Sequence, residues 1–351
     1  MSKVDPGNYF EDFRVGQELV HATPRTVTEG DVAVYQGLFG SRFALQSAAT
    51  MARAAGLERA PVDDMLVFHL VFGRTVPDVS LNAIANLGYA QGRFGSVVYP
   101  GDTLTAVSTV TGLRQTSSGT TGVVYVRTVG TNQRGEEVVA YDRWVLVPKR
   151  DPDAPAPETV VPELDDHVPG SDLGAAWTPG DGYDLALAGG PHLWEDYQPG
   201  ERIDHVDGIT VEESEHMTAC RLFQNTARVH FNQHVEKDRR FGRRIIYGGY
   251  LISLARSLSF NGLENAQTVA AINGGRHTNP TFAGDTVYAW SEVLDRIGLP
   301  GNDRLGALRL RTVAAKDRSC ADFPFQEDDG TYDPSVVLDF DYTVLIPRRG
   351  G

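Results

Sequence analysis

Two long runs of apolar and small residues interrupt an otherwise mixed chain: "MLVFHLVFGRTV" at 65–76 and "RIIYGGYLISLARSL" at 244–258. From Ile245 to Leu258 such residues cover almost every face of a 3.6-residue period, which predicts a helix buried on all sides. The matching run at 65–76 predicts the same. Downstream of each, the pattern changes to runs rich in β-branched and aromatic residues, which predict strands. These are "TLTAVSTVTGL" (103–113), "GVVYVRTVGTNQRG" (122–135) and "EEVVAYDRWVLV" (136–147), then "TVYAWSEVL" (286–294), "LGALRLRTVAAK" (305–316) and "VVLDFDYTVLIP" (336–347). The "NQRG" stretch supplies a hairpin turn. A buried helix wrapped by an antiparallel sheet, twice over, is an α+β arrangement.

The two sets are copies of one another. A shift of 184 residues brings "YFEDFRVGQEL" (9–19) onto "LWEDYQPGERI" (193–203), and "TVTEGDVAVYQGLFG" (26–40) onto "TVEESEHMTACRLFQ" (210–224). A shift of 183 sets "GRFGSVVYPGDTLTAVSTV" (92–110) on "GRHTNPTFAGDTVYAWSEV" (275–293), and one of 199 sets "YDRWVLVPKR" (141–150) on "FDYTVLIPRR" (340–349). Four blocks in one order at a nearly constant offset mark a duplication, and two copies of so long a period predict paired domains, not a solenoid. The expected division is 1–148 and 191–351, joined by a linker at 149–190. The five prolines and many acids of "KRDPDAPAPETVVPELDDHVPG" (149–170) predict an extended course there. The larger final shift places an insertion in the second copy, within "KDRSCADFPFQEDDGTYDP" (316–334).

Composition narrows the function classes. The chain has 351 residues, 41 % of them hydrophobic, enough for two ordinary cores. Its formal net charge of −14 argues against nucleic acid or an anionic membrane as the main partner. No run approaches the ~18 apolar residues of a membrane span. The start, "MSKVDPGNYFEDF", lacks the basic and then apolar order of a secretion signal, so a cytoplasmic location is expected. Cys220 and Cys320 are then expected as reduced thiols. With no CxxC pair and no His/Cys cluster, no metal is expected.

The chemistry concentrates in "RLFQNTARVHFN" (221–232), which sets Asn225, Arg228 and His230 within six positions just ahead of the second apolar run. With the helix-in-sheet pattern, the "YPGDTL" and "FAGDTV" turns and the duplication, the chain resembles the double-hotdog enoyl-CoA hydratases of the MaoC-like, or R-specific hydratase 2, group. The resemblance covers roughly 8–148 and 191–349. It implies a double hotdog fold and hydration of an α,β-unsaturated acyl-CoA. The family motif runs Gly-Asp-x-Asn-Pro-(Leu/Ile/Val)-His, its Asp and His holding the reacting water. In the second half it falls on Gln224, Asn225, Thr226, Ala227, Arg228, Val229 and His230. In the first half it falls on Gly40, Ser41, Arg42, Phe43, Ala44, Leu45 and Gln46. The second half keeps the imidazole as His230 but replaces the carboxylate by Asn225. The first half has lost both, as Ser41 and Gln46. One working copy and one eroded copy are expected.

Hydration of a conjugated thioester needs a base for water, a proton donor for the α-carbon and stabilisation of the enolate oxygen. By resemblance, His230 is the acid–base group, Asn225 orients the water, and the Gly249 amide holds the thioester oxygen, with Tyr247 and Gly248 against the substrate. Free amides at a helix N-terminus favour negative charge, although small residues there also serve helix–sheet packing. The segments "LFGSRFALQ" and "QNTARVHFN" narrow the resemblance to members whose substrate carries a carboxylate on the carbon that takes the hydroxyl. Burying that group calls for a cation. Arg228, in place of the family proline, and Arg42, in the eroded motif, are the candidates; Arg93 and Arg276 are weaker ones. The basic run "EKDRRFGRR" (236–244), with Arg239, Arg240, Arg243 and Arg244, reads either as a contact for the CoA phosphates or as a solvated turn. No cofactor is expected, because coenzyme A is part of the substrate. A homodimer is expected by family analogy. The alternatives are a hydratase of another branched or dicarboxylic enoyl-CoA, a thioesterase, and a non-catalytic acyl-CoA-binding protein. The lost aspartate argues against a thioesterase, and the retained His230 against a mere binder.

Overall fold

A computed structural model of the chain describes residues 3–349. Its ten strands are β1 (Glu18–Thr26), β2 (Ala85–Phe94), β3 (Thr103–Gln115), β4 (Thr121–Thr131), β5 (Glu137–Pro148), β6 (Arg202–Thr210), β7 (Thr268–His277), β8 (Thr286–Gly298), β9 (Leu305–Lys316) and β10 (Val336–Pro347). They form one antiparallel sheet in the order β1-β3-β4-β5-β2-β7-β10-β9-β8-β6. The order reads the same from either edge once the second five strands are matched to the first five, as the duplication requires. Each half wraps its sheet around one core helix, Asp64–Thr75 in the first and Gly248–Leu258 in the second. Every residue from Met65 to Thr75 is buried, as the all-round apolar pattern predicts. A core this closed tolerates little: truncating fully buried Phe68 to alanine should cost about 3–5 kcal/mol.

The duplication also repeats at atomic detail. On edge strand β1, His21 Nε2 lies 2.7 Å from Ser108 Oγ, which lies 2.8 Å from Thr128 Oγ1. On edge strand β6, His205 Nε2 lies 2.8 Å from Ser291 Oγ, which lies 2.7 Å from Thr312 Oγ1. The same buried chain of polar groups thus tethers both edge strands, and it accounts for two of the nine histidines as structural. The two Gly-Asp turns match too: Asp102 accepts from the Tyr99 amide and Asp285 from the Phe282 amide, at 2.9 and 3.0 Å.

The sequence pattern did not predict β2 and β7, and these are the strands that join the halves. Tyr89 pairs with Gly275, Ala90 with Gly274 and Gly92 with Ile272. Glycines lower the strand signal here because the seam is crowded: a Cβ on Gly275 would lie 2.9 Å from the Tyr89 ring. The main hydrophobic core therefore runs through both halves, taking Phe68 and Phe72 from one core helix and Tyr250 and Leu254 from the other.

The segment after β5 is extended but not free. Val160 bridges to Leu113, the Val168 amide donates to Asn273 Oδ1, and buried Trp177 donates to Thr268 Oγ1. Between β9 and β10 the chain is longer than the β4–β5 turn, and folds over a satellite core of Trp290, Cys320, Phe323 and Phe325. Both cysteines are free and buried.

Candidate active site

The helix Glu213–Phe223 ends on Gln224, whose left-handed backbone (φ 55°) turns the chain into the motif loop. Asn225 follows, buried to 1 %. Its amide donates to the Cys220 carbonyl, and its Oδ1 accepts from the Ala227 amide at 3.2 Å. The side-chain NH2 of Asn225 makes no hydrogen bond among the described residues. A single helical turn, Arg228–Phe231, then presents His230. His230 Nδ1 lies 3.0 Å from the Ile245 carbonyl oxygen. A carbonyl only accepts, so Nδ1 carries the proton and Nε2 is left with a free lone pair. Desolvation lowers the imidazole pKa to about 4, against the smaller opposing effect of the Ile245 bond. The ring is therefore neutral, a base at neutral pH.

The second core helix starts beside this ring. Tyr247 precedes its first turn, and the Tyr247 amide donates to His216 Nε2 at 2.9 Å. No side chain caps the helix, and the Gly248 and Gly249 amides have no partner among the described residues. A Cβ on Gly248 would collide with the His277 ring, and one on Gly249 with the Tyr247 and His69 rings. Ring packing thus accounts for the small size of both glycines, while their amides stay open. The Tyr247 ring stands 5.5 Å from His230 and 5.7 Å from Phe72 of the first half. Its hydroxyl is buried without a partner.

Both halves build the surroundings. A cleft of about 400 Å³ borders the motif loop, lined by Ala22, Thr23, Gly73, Arg74 and Pro77 from one half and by Cys220, Arg221, Gln224, Thr226 and Phe231 from the other. Two further polar groups lie in the layers around this helix start, His277 against Gly248 and Arg143 behind Phe72. His277, at the end of β7, has both ring nitrogens buried and unpartnered, and desolvation lowers its pKa to about 4. Arg143, on β5, is 1 % exposed, and its Nε and Nη1 are buried and unpartnered. Sequence reasoning missed both, although each left a signal. The repeat sets His277 against Phe94, an imidazole present in the second copy only. Arg143 is a charge between Tyr141 and Val145, on the inward alternation of a strand.

Comparison with known proteins identifies the family of the chain. The profile of the mesaconyl-CoA hydratase family matches residues 2–323. The chain belongs to the mesaconyl-CoA hydratase family. It is 67 % identical to the β-methylmalyl-CoA dehydratase of Chloroflexus aurantiacus over 99 % of both chains. To the mesaconyl-CoA hydratase of Cereibacter sphaeroides it is 57 % identical, over 99 % of this chain and 100 % of that one. A crystal structure of a MaoC domain dehydratase from Chloroflexus aurantiacus superposes with a TM-score of 0.98 at 67 % identity, covering all of both chains. A Mycobacterium tuberculosis protein with a double hotdog fold superposes at 0.77 with 26 % identity, over 97 % of this chain and 99 % of that one. The fold of this family member is thus the double hotdog, in the α+β class.

Within this mesaconyl-CoA hydratase fold, the structure gathers His230, Tyr247, Gly248 and Gly249 around one helix start, holds Asn225 in the motif loop, and leaves the nominated arginines elsewhere. Arg42 lies over Phe260, 4.6 Å from the ring centroid and beyond the opposite end of that helix. The pseudo-twofold relation carries the first-half motif away from the second-half one, so Arg42 does not reach this cluster. Arg228 stands next to it in sequence but turns its Nη1 to Asn82 Oδ1 of the first half. Arg93 pairs with Asp172 at 3.1 Å, and Arg276 is exposed. In the basic run, Arg239 pairs with Glu236 and Arg244 with Glu213, while Arg240 and Arg243 lie over Phe241 and Phe282. They form no common anion pocket, and the cleft is bordered by Arg74 and Arg221 instead.

Proposed function

We propose that this chain catalyses the reversible hydration of mesaconyl-CoA to β-methylmalyl-CoA. The observation that carries the reading is the neutral His230, its Nδ1–H committed to Ile245 and its Nε2 free, beside an uncapped helix start. Asn225 donates through its NH2 to the oxygen of a water, and His230 Nε2 takes a proton from that water. The oxygen adds to the β-carbon, which bears the substrate carboxylate. The electron pair of the double bond moves to the thioester oxygen, where the Gly249 amide and the positive end of the helix stabilise the enolate. The imidazolium, disfavoured by the same desolvation that lowers its pKa, returns its proton to the α-carbon. Dehydration runs the same steps backwards. The family names of the close relatives support this substrate.

The test is direct. Purified protein mixed with mesaconyl-CoA should lose the absorbance of the conjugated thioester. Loss with crotonyl-CoA alone would keep the reaction class and sink the substrate. We propose no cofactor beyond the CoA of the substrate. Among the described residues no helix is long and apolar enough to cross a membrane. A cytoplasmic homodimer, with neither nucleic acid nor membrane as partner, is the assembly we propose, and light scattering on the purified protein checks its mass.

A further inference from the structure

The substrate carboxylate still needs a cation, and one arginine meets every requirement that Arg42 and Arg228 do not. Arg143 is 1 % exposed, with its guanidinium 4.2 Å from the centroid of the Phe72 ring. Nη2 donates to Thr75 Oγ1 at 2.7 Å and reaches Ser80 Oγ at 3.5 Å. Nε and Nη1 have no partner among the described residues. No carboxylate pairs with it among the described residues, and adjacent Asp142 is taken by Arg127 at 2.6 Å. The charged or titratable groups that face it are the phenols of Tyr141, Tyr89 and Tyr247. A buried guanidinium without an anion is among the costliest arrangements in a protein interior. Its unpaired N–H groups ask for a partner that the chain does not supply.

The location says what that partner is. Phe72, under Arg143, touches Tyr247 at 5.7 Å, and Tyr247 touches His230 at 5.5 Å. Tyr89, opposite Arg143 in the β2–β5 ladder, touches His277, whose ring in turn abuts Gly248. Arg143 is thus linked to the helix start through Phe72 and Tyr89 from the first half, while His230 stands against Tyr247 from the second. We propose that Arg143 binds the substrate carboxylate through the N–H groups the protein leaves unpaired, and so sets the preference for enoyl-CoA esters with a carboxylate on the β-carbon. This inference rests on the hydratase reading above. It divides the substrate between the halves: the carboxylate goes to Arg143, the reacting carbons to His230, and the thioester oxygen to Gly249.

The experiment compares mesaconyl-CoA with tiglyl-CoA, the ester in which a methyl group replaces the carboxylate. In Arg143→Met, kcat/KM for mesaconyl-CoA should fall about 100-fold or more, because a site built for a polar group discriminates strongly. For tiglyl-CoA it should change less than about 3-fold. The variant should melt at or above the wild-type temperature, since the uncompensated buried charge is gone. Equal losses on the two esters, or an unchanged preference, would overturn the assignment. Should Arg143→Met fail to fold, Arg143→Lys takes its place, with a raised KM for mesaconyl-CoA alone as the expected result and equal shifts on both esters as the contrary one. Wild-type turnover of tiglyl-CoA but not mesaconyl-CoA would sink the functional reading and this inference together. Wild-type turnover of mesaconyl-CoA with unchanged variant preference sinks only this inference.

Discussion

The two core helices begin at equivalent points of the repeat and are finished in opposite ways. The 184-residue shift sets Asp63, Asp64 and Met65 on Tyr247, Gly248 and Gly249. In the first half the Asp63 carboxylate accepts from the Met65 amide at 2.8 Å, which is the amide equivalent to that of Gly249. Asp64 accepts from the Val269 amide, and buried Arg256 sits in the field of both acids. Gln46, in the place of His230, donates to the Gln267 carbonyl at 3.0 Å, leaving only its Oε1 unpartnered. The first helix start has been closed by its own chain. The second keeps open the Gly248 and Gly249 amides, the Tyr247 hydroxyl and both nitrogens of His277. Polar groups normally find partners inside a fold, so of the two helix starts it is the second, where that satisfaction is withheld, that is free to receive a ligand.

The comparison breaks first at the imidazole. His230→Ala should lower kcat/KM about 1,000-fold or more, near 4 kcal/mol of barrier, with the fold intact by circular dichroism. Gln46→Ala, the equivalent change in the closed half, should leave kcat/KM within about 3-fold. Comparable losses at both positions would mean that the halves are not divided as described.

Acid should separate the halves next. Desolvation lowers the pKa of His205, His230 and His277 to about 4 and of His216 to about 3 in the second half, and of His69 to about 3 in the first. Each folded value lies below the unfolded ~6.5, so the unfolded chain takes up protons first. Stability is whole above pH ~6.5 and drains away as the pH falls toward 4, by about 1 kcal/mol per imidazole at pH 5.5. Hydrogen exchange at pH 5 should therefore quicken in β6–β10 before β1–β5. The acid limb of kcat/KM should fall near pH 4 to 5, not at 6.5. A limb at 6.5 would show that another group is the base.

Exchanging the caps sharpens the contrast further. Tyr247→Asp copies the closed arrangement into the open helix and should cost about 100-fold in kcat through the occupied oxyanion donor. Tyr247→Ala, which removes the ring without supplying a cap, is the control for lost packing and should cost less. The smallest effect is expected from Asp63→Ala, which uncaps the first helix. Its chemical unfolding should show a loss of about 1 kcal/mol, with kcat unchanged.

Local pattern carried much of this structure. The stretches at 305–316 and 336–347 coincide with β9 and β10, because strand alternation and β-branched content are local properties. The core helices were legible for the same reason, as was His230 through a motif compact in sequence. β2 and β7 were not, since "ANLGYAQGRF" and "TVAAINGGRH" are shaped by a partner strand nearly two hundred residues away. The helix Glu29–Phe39 could have been read from its capping box, Thr28 with Asp31. Arg143 and His277 left faint marks, a charge on an inward strand position and an imidazole opposite a phenylalanine, but the missing partners that make them unusual show only in three dimensions. Asn225 was legible as a departure from the motif. Its commitment to the Ala227 amide was not.

The β2–β7 seam has a consequence for how such a pocket can diverge. Were the halves separate, identical chains meeting along that seam, every substitution would appear twice, once on each side of the twofold axis. An arginine gained opposite one histidine would also be gained opposite the other, and a carboxylate plugging one helix would plug both. Because one continuous chain supplies both sides of the seam, each side of the axis is encoded independently. One face can specialise as wall and anchor while the other keeps the chemistry, and a ligand with two different ends can be met by two different surfaces.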